Sequence, residues 1–413
     1  MNDKNFKSNF IWNMIGVTLN SFNSMFFMII ITRINGTDNA GVFTLLFSVA
    51  NLLYNIGVYA GRTFQVTDNT GKYTDSEYVI HRTLTVSVMF IVGALYCAIK
   101  GFTVYKFALT MLLTLMKCIE AYSDSLYGVL QKNDELYKSG ISLTVKALCS
   151  LVLLFIVDLV FRDLIIGFII VDIVCFVITL VYDIPNAKKY LNKDYSIKKS
   201  LGLFGAGAFA FAYYFLNVYL ANAPKYALDG KVLDSEQALF SIILMPATLI
   251  NLCAIYMLQP YINRLGLLYS ENRYADFKKS MRIIVLGIFG IGTVAFICAT
   301  FLGVPVLNIV YGVDLTDYLT SLQIIIFGAT LAAIVTVLST ALTVFRNTRD
   351  QFLIYCIVSG IIFAISSLLV DTFGVYGGAY VYLSSTLLQI GLYLFVYLLY
   401  MKKWKKLLEE EKK

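Results

Sequence analysis

The chain has 413 residues, of which 59% are hydrophobic and 14% are charged, and its formal net charge is +7. Soluble domains carry about 25% charged residues, so the composition excludes a soluble protein and indicates an integral membrane protein. The basic residues lie in connections and near helix ends, where an anionic membrane leaflet accounts for them without nucleic acid as a partner.

Apolar stretches along the chain predict an all-α integral membrane protein with about twelve transmembrane helices. The predicted spans are residues 10–32, 41–60, 83–99, 102–121, 140–161, 164–182, 201–220, 239–258, 283–302, 321–344, 352–370 and 377–400. Most lysines and arginines fall in alternate connections, which by the positive-inside rule places both termini in the cytoplasm. We therefore expect a multi-pass protein of the cytoplasmic membrane.

The most basic connection runs through residues 188–199, near the middle of the chain. An ordinary anchoring loop would explain its charge. Alternatively, it links two lobes, as in transporters built from repeated halves. We predict a six-helix lobe over residues 1–190 and a second over residues 191–413.

Charged residues inside predicted spans or directly after them are the strongest functional signal. Lys117, Glu120 and Asp124 follow one another at i, i+3 and i+7, so a helix places them on one face. Lys146 lies in the next span. A charge near the bilayer centre costs roughly 2.5–3.5 kcal/mol even on the lenient insertion scale, so such residues face protein or a wet cavity.

Two interpretations of these charges stay open. Lys117 and Lys146 form internal ion pairs with Glu120, Asp124 or Asp158, or they line a cavity for an anionic substrate. Asp158 and Asp172 are further candidates for ion pairing or ion coupling, although no distinctive spacing supports a coupling role.

Three further cations close predicted spans: Arg33, Arg62 and Lys225. Each is either a helix-end cation that reaches toward the membrane surface or part of a cationic wall for a phosphate or pyrophosphate headgroup. Arginine suits bidentate contact with phosphate, and lysine supplies a mobile point charge.

The sequence offers few of the side chains that enzymatic catalysis requires. His81 is the single histidine and is predicted in a loop, and the seven cysteines are scattered without a CxxC pair, so we expect no metal site, no disulfide and no cofactor. The longest outward connections, residues 221–238 and 303–320, are too short for the catalytic module of a glycan polymerase. We expect a protein that is not an enzyme.

Several stretches resemble the Wzx-type polysaccharide repeat-unit flippases of the multidrug/oligosaccharidyl-lipid/polysaccharide exporter superfamily. They are Asn9–Asn13, Arg33 through Phe43, Gly61–Asp68, Asp124 through Gln131, Ser139 through Lys146, Asn222–Asp229 with Gln237–Phe240 and Met245–Ala247, and Gly374–Ala379. The combination is specific, although no single stretch would suffice.

The resemblance implies two six-helix lobes around a central cavity that opens alternately to each side. The implied cargo is an undecaprenyl-pyrophosphate-linked oligosaccharide, moved from the inner to the outer leaflet for surface polysaccharide synthesis. It also implies cavity cations at Arg33, Arg62, Lys146 and Lys225, membrane lipids as partners, and contacts with a polysaccharide polymerase or other pathway proteins.

Three other functions predict different features in the sequence. An ion-coupled drug or metabolite antiporter of the same superfamily is the nearest alternative, and it predicts a more acidic cavity. A membrane enzyme predicts a large outer loop or a cluster of His, Asp and Glu. A non-transporting scaffold would leave Lys117 and Lys146 unexplained.

Overall fold

The structure is a computed structural model that describes residues 3–59, 61–68, 71–192 and 195–410, with side chains described from residue 8 onward except at residue 63. The described residues form helices and connections, without a β-strand. The helices are α1 Asp3–Val58, α2 Gly61–Val66, α3 Asp75–Lys100, α4 Val104–Lys132, α5 Leu136–Phe161, α6 Leu164–Ile178, α7 Ile184–Lys188, α8 Ile197–Leu228, α9 Asp234–Ser270, α10 Tyr274–Cys298, α11 Val304–Tyr311, α12 Leu319–Val344, α13 Thr348–Phe373 and α14 Val375–Glu410. Two π-helical turns, Thr179–Asp183 and Ala299–Gly303, join α6 to α7 and α10 to α11.

The first helix contains two predicted spans. α1 is 56 residues long, and its backbone leaves the helical region at Gly36, where φ is 85° and ψ is 172°. A side chain at this φ would be strained, so glycine is the residue that allows the chain to turn here. A bilayer needs about 20 helical residues, and each half of α1 meets that length.

The number of spans follows from α1 and α4. Ten helical segments of the described chain are long and apolar enough to cross a membrane, with α1 counted once. α4 has 29 residues but is rich in charged side chains, which lowers its hydropathy. Counting α1 as two spans and adding α4 gives twelve, so the predicted all-α multi-pass membrane fold is confirmed.

Some predicted boundaries were wrong because apolarity does not mark where a helix ends. α8 continues through Pro224 to Leu228, although residues 221–238 were predicted as a loop. Proline inside a membrane helix is tolerated where its surroundings satisfy the freed backbone groups. Likewise, α11 occupies much of the connection predicted at residues 303–320, after the π-helical turn.

The start of α3 was also placed too late. Thr74 and Glu77 form a capping box, so the helix begins at Asp75 instead of residue 83. His81, predicted in a loop, therefore lies on α3, where its ring centroid is 4.6 Å from that of Phe204. Arg82, predicted in the same loop, is buried on the same helix.

Internal packing divides the chain into two compact units, Met1–Val218 and Tyr219–Lys413. The division falls inside α8, whereas the predicted lobe boundary lies in the connection before it, and the lobe assignment stays a prediction. In the second unit, α12 packs against α9, α10 and α14. In the same unit, the ring of Trp404 on α14 packs against the rings of Phe277 and Phe345.

The first unit is organised around α1. Its two halves meet α6 through the rings of Phe27, Phe43 and Phe168, all fully buried, with centroids 5.7 Å apart from Phe168 to each of the others. α1 also packs along α5 and α4. Phe27 of this apolar cluster also lines the polar cavity described below.

Gly140 and Gly16 allow α1 and α5 to touch at the backbone. A Cβ on Gly140 would lie 2.2 Å from the carbonyl carbon of Trp12, and one on Gly16 would lie 2.5 Å from the oxygen of Gly140. Small residues at such crossings are the usual means of close packing in membranes.

We expect Gly140→Ala to destabilise the protein by about 1–3 kcal/mol, because the obstructing atoms are backbone and cannot rotate away. Thermal unfolding of the purified protein in detergent measures the effect. Gly360→Ala is the matched control, since its Cβ would meet open space. An equal midpoint for both variants would contradict close backbone contact at Gly140.

Candidate functional site

A polar cavity of about 290 Å³ lies inside the first unit. Both halves of α1 contribute to it, together with α4, α5 and α6. Its lining consists of Asn20, Ser21, Asn23, Ser24, Phe27, Phe47, Asn51, Tyr54, Met116, Lys117, Ile119, Glu120, Ser123, Tyr127, Leu143, Lys146, Ala147, Ser150 and Cys175. Amides, hydroxyls and charged groups at the depth of apolar helices make this cavity the candidate functional site.

Lys117 and Glu120 form one charged pair on the cavity wall. Lys117 Nζ lies 2.7 Å from Glu120 Oε2, one helical turn away on α4, and Asn20 donates a hydrogen bond of 3.1 Å to Glu120 Oε1. The same ammonium lies 5.0 Å from the ring centroid of Phe47 and 5.5 Å from that of Tyr54. Cation–π attraction therefore adds to the ion pair.

Lys146 is held by a fuller set of partners. Its ammonium lies 2.6 Å from Asp183 Oδ2 and donates to the hydroxyl oxygens of Ser123 and Thr179, each at 2.7 Å. The Tyr127 hydroxyl is 3.4 Å away. The Asp183 side chain has 0% exposure, so this is a buried ion pair within a network of hydroxyl groups.

The lysines of the cavity are therefore compensated. Glu120 balances Lys117, as one of the predicted pairings has it, and Asp183, which was not among the predicted partners, balances Lys146. The cavity offers hydrogen bonds without excess positive charge.

Two arginines, Arg62 of α2 and Arg82 of α3, form a cluster around Asp124, which lies one turn after Glu120 on α4. Arg62 Nε is 3.7 Å from Asp124 Oδ1, and Arg82 is 3.6 Å from the other oxygen of this carboxylate. Arg82 also donates 3.2 Å to the carbonyl of Ala121. Both distances to Asp124 exceed those of a hydrogen bond, so the guanidiniums keep N–H donors. Two cations share one anion, which leaves the cluster positive.

Sequence reasoning missed Arg82 and Asp183 for different reasons. The Thr74 to Glu77 capping box was a usable signal that Arg82 belongs to a helix. Asp183 falls just after an apolar run, and nothing local indicates that it turns back toward α5.

The other candidate residues do not line the cavity. Arg33 is exposed, three residues before the break of α1. Lys225 lies on α8 in the second unit, where the backbone oxygen of Lys225 accepts a hydrogen bond from Gln237. Asp158 is fully buried close to Asn35, and Asp172 is buried with both carboxylate oxygens lacking a hydrogen-bond partner among the described residues.

No protein-family model matches the chain. Over 339 residues the chain is 24% identical to the capsular polysaccharide biosynthesis protein CapF of Staphylococcus aureus. The matched region covers 79% of this chain and 81% of CapF.

Solved structures resemble the whole chain. An inward-facing multidrug-resistance MATE transporter of the MOP superfamily superposes with a TM-score of 0.71 at 11% identity, over 95% of this chain and 99% of that one. The lipid II flippase MurJ, in an inward closed conformation, gives 0.66 at 14% identity, over 94% and 87%. The fold that the resemblance implied is confirmed, because the chain has the fold of these transporters.

Proposed function

We propose that this chain, a multi-pass membrane protein with the fold of the MOP-superfamily transporters, is a flippase for lipid-linked oligosaccharides. It moves undecaprenyl-pyrophosphate-linked repeat units from the inner to the outer leaflet of the cytoplasmic membrane by alternating access. The translocated repeat units supply the synthesis of a capsule, exopolysaccharide or O-antigen-like surface polysaccharide. The similarity to a capsular polysaccharide biosynthesis protein and the shared fold with a lipid II flippase support this proposal.

The observation that carries the proposal is the arginine cluster. Arg62 and Arg82 share Asp124 at 3.7 and 3.6 Å, so one positive charge is left without a carboxylate. The Arg62 side chain keeps 25% of its exposure, whereas Arg82 keeps 5%. A pyrophosphate matches such a site, because guanidinium N–H groups bind phosphate oxygens in a bidentate manner.

A flippase needs polar surface at membrane depth and no covalent chemistry. Moving a glycan through hydrocarbon would leave many hydroxyl groups without partners, at several kcal/mol each. The amides and hydroxyls of the first unit supply such partners while the lipid tail stays in the bilayer.

We propose different roles for the predicted cations. Arg62 is proposed to bind the pyrophosphate, with Arg82 beside it. Lys117 and Lys146 hold the cavity wall, because each is matched by a carboxylate. Lys225 and Arg33 stay proposed contacts for the anionic headgroup, and Asp158 and Asp172 stay proposed coupling residues.

The proposal includes a cytoplasmic location of both termini and contacts with a polysaccharide polymerase and other proteins of the pathway. Alternate connections carry most of the basic residues, which supports that orientation.

Reconstitution tests the proposed activity. We expect proteoliposomes to translocate an undecaprenyl-pyrophosphate oligosaccharide that carries a fluorophore on its glycan, measured as the fraction that an external reductant can bleach. Protein-free vesicles of the same lipid composition are the control. The ion-coupled antiporter would instead export small organic cations along a proton or sodium gradient and leave the labelled lipid unmoved.

A further inference from the structure

The short helix α2 carries Arg62 and cannot hold its own position. It spans six residues, Gly61–Val66, which is fewer than two turns, and a helix of this length is not stable by itself. The chain enters it through Gly61 in a left-handed conformation, with φ at 76°. α2 packs against α4. The position of the Arg62 guanidinium is therefore set by the contacts that α2 makes with its neighbours.

Gln65 makes a close contact of this kind with Gly128 of α4. The Gln65 side chain is buried, with 1% exposure. A Cβ on Gly128 would lie 2.4 Å from Gln65 Oε1, 2.7 Å from its Cδ and 3.0 Å from its Nε2. Any other residue at position 128 would overlap with the whole amide group, so glycine is what allows the two helices to meet here.

This contact lies beside the pair formed by Arg62 and Asp124. On α2, Gln65 follows Arg62 by three residues, and on α4, Gly128 follows Asp124 by four, so each lies about one turn further along its helix. Arg62 Nε is 3.7 Å from Asp124 Oδ1. The two contacts are adjacent steps of one helix–helix interface, and a shift of α2 at the first is carried to the second.

The stability of the fold does not explain a glutamine at this place. Gln65 Nε2 lies 3.5 Å from Asp75 Oδ1, at the long limit of a hydrogen bond, and this oxygen already accepts one of 3.0 Å from Lys132. Gln65 Oε1 is buried without a hydrogen-bond partner among the described residues. A buried acceptor without a partner costs stability. The placement is explained if the length of the side chain sets the spacing between α2 and α4.

We propose that Gln65 is a positioning residue that acts through Arg62. Its amide, packed on Gly128, fixes where α2 lies on α4 and so fixes where the Arg62 guanidinium meets the anionic headgroup of the substrate. Gln65 itself does not contact the lipid. This inference rests on the proposed flippase function and adds to it a residue outside the polar cavity.

Enlarging Gly128 tests this role. Gly128→Ala places a methyl group where the Gln65 amide lies, so we expect it to displace α2. The purified protein in detergent should then bind undecaprenyl pyrophosphate about tenfold more weakly, the equivalent of one hydrogen bond to a charged group. Flipping in proteoliposomes should fall at low content of the lipid-linked oligosaccharide and recover as that content is raised, because affinity is lost and the transport step is not.

Two further variants separate the contact from a general effect of crowding. Gln65→Asn, added to Gly128→Ala, shortens the side chain by one methylene group and should restore the affinity. Gly205→Ala is the matched control in the same unit, since its Cβ would meet open space, and should bind as the wild type does. Gln65→Ala removes the amide without crowding and should also weaken binding. Thermal unfolding shows that each variant is folded.

An Arg62→Ala background shows whether the effect passes through the guanidinium. In that background, neither Gly128→Ala nor Gln65→Ala should weaken binding further, because the group that they displace is absent. An equal loss in both backgrounds, or wild-type affinity in both single variants, would overturn the role of Gln65 while leaving the flippase function in place. A wild type that neither binds nor flips the lipid would overturn the flippase function, and the role of Gln65 with it.

Discussion

Replacing Lys146 by methionine is expected to destabilise the protein by about 3–5 kcal/mol, the usual result of removing one partner of a buried ion pair. The variant would leave Asp183 without its cation, and the Asp183 side chain has 0% exposure. Thermal unfolding of the purified protein in detergent, followed by intrinsic fluorescence, measures this loss.

The double variant Lys146→Met with Asp183→Asn distinguishes a structural role from a substrate contact. With both charges removed, the nearby hydroxyl groups can still form hydrogen bonds with each other. The hydroxyl oxygens of Ser123 and Thr179 lie 3.1 Å apart, and those of Tyr127 and Ser142 lie 2.9 Å apart. We therefore expect the double variant to recover most of the stability and to flip the lipid-linked oligosaccharide. A stable double variant that cannot flip would make Lys146 a substrate contact after all.

Arg62→Ala is expected to reduce flipping by about ten- to a hundredfold with little change in stability. A hydrogen bond to a charged group contributes about 1.5–3 kcal/mol, and the pyrophosphate would lose its more exposed guanidinium. The protein keeps its fold because Asp124 retains Arg82 at 3.6 Å. The initial rate at which the glycan label becomes accessible to the external reductant in proteoliposomes, with equal amounts of reconstituted protein, measures the effect.

Two variants show whether the loss at Arg62 is specific. Arg62→Lys keeps the charge but loses the planar fork, so we expect a rate between those of alanine and wild type. Arg273→Ala removes an exposed arginine that pairs with Asp276 in the second unit and should leave flipping unchanged. Full activity of Arg62→Ala would remove the arginine cluster from the substrate path.

These predictions give Arg62 a role in substrate binding and Lys146 a role in stability, although the sequence predicts the same role for both. Arg62 and Lys146 both fall in stretches that resemble the flippases, and both were predicted as cavity cations. Lys146 has a carboxylate at 2.6 Å, whereas Arg62 has one at 3.7 Å that it shares with Arg82. Only the distances to neighbouring helices reveal the difference.

The sequence by itself determined the membrane class and the number of spans, and it placed Lys117 and Glu120 on one face of α4. Apolar length is a local property, so the stretch from residue 10 to residue 60 predicts two spans even though α1 runs through both. Lys117 and Glu120 are three residues apart, and one helical turn is enough to bring them to 2.7 Å.

The tertiary structure alone decided the rest. Asp183 meets Lys146 from another helical segment, and Arg82 meets Asp124 across α3 and α4. Such pairs depend on the rotation and depth of each helix relative to its neighbours. Those are set by packing contacts, such as Gly140 against Trp12, and apolar sequence surrounding the charges does not specify them.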